Sequence, residues 1–294
     1  MFRAAAASAA AALLVVLALM LFKIGQASAP VWSKHAGELL TGTRWAPSKE
    51  IFGGLPFVFG TLVTSAIALV LAVPVGVATA LYVSEFAPRR LRGTIASLTD
   101  LLAAVPSVIY GLWGFYVLVP TLRPFQAWLA RTVGRVIPIF GTPESGLHGV
   151  GLFSAGVVLA IMIIPTISAV SREVFLTIPR EQRHAALALG ATRWESIKIA
   201  VLPAARPGII GAVILGLGRA LGETIAVTIV IGNVPVISKS ILSYGATMPS
   251  IIAGNFPEAS GSHAQALLAI ALMLFALTLL VNILARVLVR RRVA

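Results

Sequence analysis

Cysteine is absent from these 294 residues, and aspartate occurs only once, at Asp100. The chain therefore forms no disulfide and offers no thiolate to a metal. A single aspartate excludes a diaspartyl protease, and neither an H-E-x-x-H zinc motif nor a G-x-x-x-x-G-K-[ST] phosphate loop is present. A catalytic Ser–His pair is not excluded by the composition, although the sequence has no G-x-S-x-G motif. We expect Asp100 to cap the start of a helix.

Charge is also scarce, because 11% of the residues are charged whereas 58% are hydrophobic, with a mean hydropathy of +0.96. This balance is typical of a chain dissolved in lipid. A net charge of +13 would suggest nucleic-acid binding in a soluble domain, but here lysine and arginine fall in the gaps between apolar runs. We therefore interpret the basic excess as a topology signal.

Six apolar stretches are long enough to cross a hydrocarbon core, which requires about 20 helical residues. They predict an all-α, polytopic membrane protein with six transmembrane helices. The predicted spans lie near residues 4–22, 56–84, 96–119, 150–170, 208–232 and 265–288. We expect residues 1–55 to form an N-terminal helix and outer loop, and residues 56–294 to form a five-helix core.

The distribution of basic residues sets the orientation. If both termini are cytoplasmic, fourteen lysines and arginines lie inside and eight outside, so the positive-inside rule favours this arrangement. The basic start and the "ASA" at 27–29 also fit a cleavable signal peptide. However, the first apolar run of about 19 residues exceeds the roughly 7–15 of a signal core. We therefore expect a retained first helix.

The longest inner gap, 172–207, contains the block "AALALGATRWESIKIAVLPAARPG". Its pattern predicts short helices near 179–189 and 193–201, with Gly190 as a left-handed cap between them. We expect Pro203 and Pro207 to end the second helix. A surface loop held by its own helices is the plainer interpretation, and a docking elbow is the other. The charged residues expected on its solvent side are Glu181, Arg183, Arg193, Glu195 and Lys198.

Two charges fall inside the fifth span, where each costs about 2.5–3.5 kcal/mol at the membrane centre. Arg219 is expected near the midplane, with Glu223 one turn further on the same face. One interpretation is a buried intrahelical ion pair. The other is a pathway in which the planar guanidinium meets an oxyanion. Gly218 and Gly222 stand in G-x-x-x-G register, which permits close packing of a partner helix.

The block in the inner gap resembles the signature loop of ABC importer permeases. In that family "EAA", three residues, glycine, nine residues and "I-x-L-P" form a coupling helix that docks on the ATPase subunit. The matching residues here are Ala185, Ala186, Gly190, Leu202 and Pro203. His184 replaces the family's glutamate and Ala200 its isoleucine. The resemblance implies the six-helix architecture of MetI-like permeases, with residues 172–207 as the coupling loop.

Three stretches, 51–76, 100–120 and 216–233, resemble the PstC-type permeases of bacterial phosphate importers. This resemblance implies that Arg219 and Glu223 are linked to phosphate transport. It also implies a PstA-like second permease, two PstB-like ATPases, a periplasmic phosphate-binding protein and a location in the bacterial inner membrane. The chain itself would bind no cofactor, since ATP and Mg would belong to the ATPase. A PstA-like subunit, or a permease for another oxyanion or solute, is the alternative.

Overall fold

The computed structural model describes residues 2–144 and 146–293, most of which are helical. Two short strands, β1 (Trp45–Ala46) and β2 (Ile51–Phe52), pair antiparallel around a 3-10 turn at Pro47–Lys49. The α-helices are α1 (Phe2–Thr41), α2 (Leu55–Leu81), α3 (Arg89–Ala104), α4 (Ser107–Trp113), α5 (Val119–Thr132), α6 (Leu152–Thr177), α7 (Arg180–Ala188), α8 (Arg193–Ser196), α9 (Leu202–Gly222), α10 (Ile225–Ile231), α11 (Met248–Asn255) and α12 (Gly261–Val293). Turns of π-helix lie at Tyr82–Phe86, Gly114–Leu118 and Ile197–Val201, and further 3-10 turns at Val133–Arg135, Pro138–Phe140 and Phe256–Glu258.

Helix α6 forms the centre of the fold, because α2 and α9 both pack along it. Ala68, Ala155 and Ile163 are fully buried in the shared apolar cluster. At Gly76 the approach is so close that a Cβ would lie 3.0 Å from Cγ2 of Ile167. Small residues let membrane helices approach closely without a hydrophobic driving force. The three helices therefore pack closely together and support the Arg219 region at the end of α9.

Helix α1 packs against α12, with Val31 and Leu39 buried beside Ala266 and Ala269. It continues across a kink at His35 to Thr41, so many of the residues that were expected to form an outer loop are helical. The first half of α1 is exposed along its length, as expected of a helix surrounded by lipid.

Five helices of the described chain are long and apolar enough to cross a membrane, or six if the bent pair Arg90–Ala104 and Ser107–Arg135 counts as one span. The predicted all-helical fold is confirmed. The spans predicted near 4–22, 56–84, 150–170 and 265–288 each correspond to one long helix, to within two residues at the ends where they differ.

The third predicted span, 96–119, is wrong as a continuous helix. The chain bends by 90° between α3 and α4, where Val105 and Pro106 are extended. Proline disfavours helical geometry in the residue before it, which places the break there. Asp100 lies in the second half of α3 and does not cap its start, so that expectation is also wrong.

The fifth predicted span, 208–232, is also divided. Helix α9 ends at Gly222, Glu223 is extended, and α10 begins at Ile225 after its N-cap residue Thr224. No proline marks this break, which is why the apolar run alone predicted one continuous helix. The two divided spans, α3–α4 and α9–α10, contain the residues of the candidate site.

Candidate functional site

The two charged residues of the fifth predicted span lie at its break. Glu223 is extended (φ −69°, ψ 127°), directly after α9 ends. Its Oε1 accepts a hydrogen bond of 3.4 Å from the backbone N–H of Ala226. The N–H groups in the first turn of a helix have no helical acceptor. Glu223 therefore covers the start of α10.

Arg219 lies in the last turn of α9 and is partly buried. Its Nη1 donates a hydrogen bond of 3.3 Å to Oγ1 of Thr166 on α6. Among the described residues no ion pair joins Arg219 to Glu223. The intrahelical pair that the sequence left open is therefore not formed there, because Glu223 turns to α10 and Arg219 to α6.

A second helix break adjoins the first. The Tyr110 hydroxyl on α4 donates to the carbonyl of Leu102 on α3 at 2.8 Å, which bridges the 90° bend. Gly111 of α4 packs against Ala226 of α10, which brings the two breaks together. Irregular backbone at membrane depth is tolerated only where it is buried in protein or lines a water-filled cavity. The region between the two breaks is therefore the candidate site.

One face of α9, beside this region, is left uncovered by the residues that the structure describes. Leu215 is exposed on it, and a Cβ built on Gly211, Gly218 or Gly222 would meet no neighbouring atom within 4 Å. Gly211 and Leu215 of this face border a groove of 860 Å³, whose other walls come from α6 and α12. The opposite face packs inward through Ala205, Ala212, Gly216 and Ala220. The predicted G-x-x-x-G pair is therefore unused inside this chain and remains a prediction for a partner helix.

The elbow at 172–207 contains the two predicted helices and the predicted left-handed glycine. Helix α7 covers Arg180–Ala188, and Gly190 has φ +89°. Helix α8 follows a reciprocal capping box between Thr192 and Glu195. Hydrogen bonds from the backbone and then the side chain of Thr192 hold the pKa of the exposed Glu195 carboxyl below its ordinary value.

The two prolines do not end the second helix, so that part of the prediction is wrong. Pro203 lies in the first turn of α9 and Pro207 inside it. The π-helical turn at Ile197–Val201 joins α8 to α9, and the N–H of Leu202 donates to the carbonyl of Ile197. The first turn of a helix tolerates proline because its N–H groups need no helical acceptor. The elbow therefore continues directly into the helix that carries Arg219.

The five residues that match the importer motif meet in this elbow but face different ways. Ala186 is buried, and Leu202 packs against the apolar cluster at the inner ends of the helices. Ala185, Gly190 and Pro203 are exposed. Ala186 and Leu202 therefore pack the elbow against the rest of the chain, whereas Ala185, Gly190 and Pro203 lie on its exposed surface.

The exposed side of the elbow is apolar as well as charged. Leu189 is 90% exposed, and Trp194 and Ile199 are also exposed. Nζ of Lys198 lies 5.2 Å from the centre of the Trp194 ring. A cavity of 160 Å³ opens beside them, lined by Glu85, Phe86, Arg183, His184, Leu187, Arg193, Ser196 and Ile197. Exposed apolar side chains rimmed by charge mark a surface suited to a protein partner.

Sequence reasoning missed several residues. Arg183 was expected on the solvent side, which is wrong, because it pairs with Glu85 and is largely shielded from water. Glu85, Thr166 and Tyr110 were not selected at all. Thr166 and Tyr110 had only the weak signal of a polar group within an apolar span. Among the described residues no group of three or more His, Asp and Glu side chains could hold a metal ion.

Residues 72–293 match the family described as binding-protein-dependent transport system inner membrane component. The chain is 42% identical to the phosphate transport system permease protein PstC of Xylella fastidiosa, over 93% of this chain and 86% of that protein. It is 40% identical to PstC of Pasteurella multocida, over 99% of this chain and 91% of that protein.

Two solved structures share the fold at low identity. The MetNI methionine ABC transporter in inward-facing conformations matches with a TM-score of 0.59 and 19% identity, over 84% of this chain and 99% of that one. A bacterial ABC transporter that imports alginate matches with a TM-score of 0.60 and 16% identity, over 96% of this chain and 94% of that one. This chain belongs to the family of binding-protein-dependent transport system inner membrane components.

Proposed function

We propose that this chain is the permease subunit of an ATP-driven importer that carries inorganic phosphate inward. The observation that carries the proposal is Arg219, a partly buried guanidinium at a helix break that has Thr166 but no carboxylate partner among the described residues. The named relatives are PstC phosphate permeases, which supports phosphate as the solute.

The chemistry of the site suits an oxyanion that must also be released. A guanidinium presents a planar fork of donors that matches two phosphate oxygens at once. Thr166 occupies one of these donors with a hydrogen bond of 3.3 Å. The nearby carboxylate of Glu223 adds a negative charge that weakens the hold on an anion. A permease site needs this moderate affinity, because a solute that binds too tightly does not leave.

The uncovered face of α9 beside Arg219 supports a second permease subunit. A PstA-like chain packed against Gly218 and Gly222 would complete the pathway at the seam between the subunits. Two PstB-like ATPases would bind and hydrolyse ATP with Mg, since this chain has no phosphate-cradling loop. A periplasmic phosphate-binding protein would deliver the solute on the outer side, with both termini of this chain in the cytoplasm.

The elbow would link the ATPases to the pathway. In this mechanism, closure of the ATPase pair displaces α7 and α8, and the continuous helix from Arg193 to Gly222 transmits the displacement to Arg219. The pathway then alternates between outward and inward exposure. Ala185, Gly190 and Pro203 are exposed on the elbow and would contact the ATPase in this mechanism.

A permease for another oxyanion is the second candidate, because an arginine by itself does not distinguish phosphate from sulfate or molybdate. The test is uptake of labelled phosphate into proteoliposomes that contain the full importer, with each unlabelled anion as competitor. Phosphate alone should compete. Suppression of labelled-phosphate uptake by sulfate or molybdate, or the absence of phosphate uptake, would favour the second candidate.

The same assay tests Arg219. We expect Arg219→Gln to abolish uptake while the complex still assembles, because a neutral amide cannot bind the anion by charge. Arg206→Gln, a change of the same kind at an exposed position near the start of α9, should leave uptake normal. Normal uptake by Arg219→Gln would refute the role of this arginine.

A further inference from the structure

Arg183, on α7, has every guanidinium nitrogen hydrogen-bonded. Nε donates to both oxygens of the Glu85 carboxylate, at 3.2 Å to Oε1 and 3.3 Å to Oε2, and Nη2 donates to Oε1 at 2.7 Å. Nη1 donates to the carbonyl of Ile178 at 2.6 Å, and Nη2 also donates to the carbonyl of Phe175 at 2.9 Å. Bidentate pairing of arginine with a carboxylate fixes geometry more strictly than a single point charge does.

These partners belong to different parts of the chain. Glu85 lies in the π-helical turn Tyr82–Phe86 that ends the second span. Phe175 lies in the last turn of α6, and Ile178 directly follows that helix. The last carbonyls of a helix have no helical donor and carry a partial negative charge, which a cation satisfies. One side chain therefore joins the coupling helix α7 to the inner ends of both α2 and α6.

The elbow is also tied within itself. The Ser196 hydroxyl donates to the backbone carbonyl of Arg183 at 3.3 Å, which attaches α8 to α7. The side chains of Arg183 and Glu85 are only 18% and 13% exposed, so water competes little for these bonds. An apolar cluster of Ala80, Phe175, Ile178, Ile197, Val201 and Ala205 packs the same junction. The cluster buries the apolar surface of the junction, and the hydrogen bonds of Arg183 fix the orientation of α7 relative to α2 and α6.

We propose that Arg183 and Glu85 form a clamp that makes α7, the end of α2 and the end of α6 move as one body. The proposal rests on the proposed function, in which the ATPases displace the elbow. With the clamp closed, a displacement of α7 reaches the two central helices of the core. With the clamp open, α7 shifts on its apolar contacts and the displacement is lost there. Both are positioning residues, because neither touches the pathway.

The test measures solute imported per ATP hydrolysed by the full importer in proteoliposomes. Glu85→Gln and Arg183→Gln should each lower this ratio by about fivefold or more, the lower end of coupling between linked sites. ATP hydrolysis should continue. Arg183→Lys should fall between wild type and Arg183→Gln, because lysine keeps the charge but loses the fork. The matched controls are Arg44→Gln and Glu258→Gln, exposed positions outside the elbow that should keep the ratio.

A second readout is independent of the solute. Hydrogen exchange of the α7 amides, Arg180–Ala188, should be faster in Glu85→Gln than in Glu181→Gln. An unchanged ratio in assembled Glu85→Gln and Arg183→Gln complexes would overturn the clamp. Failure of all clamp variants to assemble would also overturn it, since the pair would then serve folding. If the wild-type complex imports no phosphate, the proposed function fails, and the exchange experiment alone decides whether the clamp holds α7.

Discussion

Two arginines of this chain are both partly shielded from water, but their hydrogen bonding differs greatly. Arg183 donates to Glu85 and to two carbonyls at the end of a helix. Arg219 donates to Thr166 and has no carboxylate partner among the described residues. An arginine that holds a fold needs its acceptors within the chain, whereas one that binds an anion needs free donors. The contrast separates a structural junction from a solute site.

The largest difference between the two arginine sites is expected when the carboxylate beside each, Glu85 or Glu223, is replaced. We expect Glu85→Gln to lower the free energy of unfolding by about 2 kcal/mol, because charge-assisted hydrogen bonds each contribute about 1.5–3 kcal/mol. Glu223→Gln should change it by less than about 0.5 kcal/mol, since the amide oxygen can still accept from Ala226. Thermal unfolding of the purified protein in detergent measures both. Equal losses in the two variants would remove the distinction between the sites.

Thr166 sharpens the description of Arg219. Thr166→Val keeps the shape of the side chain and removes the acceptor, so the guanidinium loses its hydrogen bond of 3.3 Å. A hydrogen bond of this kind contributes about 1 kcal/mol, which predicts about a fivefold change in the KM for phosphate uptake. Thr166→Ser, which retains the hydroxyl, is the control and should transport normally. Identical KM values for the valine and serine variants would show that Thr166 does not position Arg219.

Local pattern was enough to predict much of the fold. Long apolar runs predicted four of the spans, and the motif spacing predicted the elbow and its left-handed glycine. Hydropathy does not register where a backbone bends, so both helix breaks were missed. The bend at Val105 and Pro106 had a local signal in the proline. The break at Glu223 had no proline to mark it, and the two charges beside it were interpreted as a pair or a pathway within one continuous helix.

The partners of the two arginines could not be predicted for a different reason. Glu85 and Arg183 are 98 positions apart, and Thr166 and Arg219 are 53 apart. Each pair meets only because α2, α6 and α9 pack side by side. Sequence periodicity places a residue on a face of its own helix, but it does not say which helix covers that face. The charge of Arg183 therefore predicted a solvent-exposed side chain, whereas in the fold it lies at the junction of α7 with the ends of α2 and α6.

Gly190 shapes the elbow that contains Arg183, and its replacement gives a third test. Its φ of +89° is unfavourable for residues with a Cβ, although no atom lies within 4 Å of where that Cβ would be. Gly190→Ala should therefore cost about 1 kcal/mol of stability through backbone strain alone. Gly93→Ala is the matched control, because Gly93 lies inside α3 and also has open space, so alanine there should be neutral or stabilising. Thermal unfolding of the Gly190→Ala and Gly93→Ala variants compares the two positions. An equal change in stability would show that a side chain does not strain the left-handed turn at Gly190.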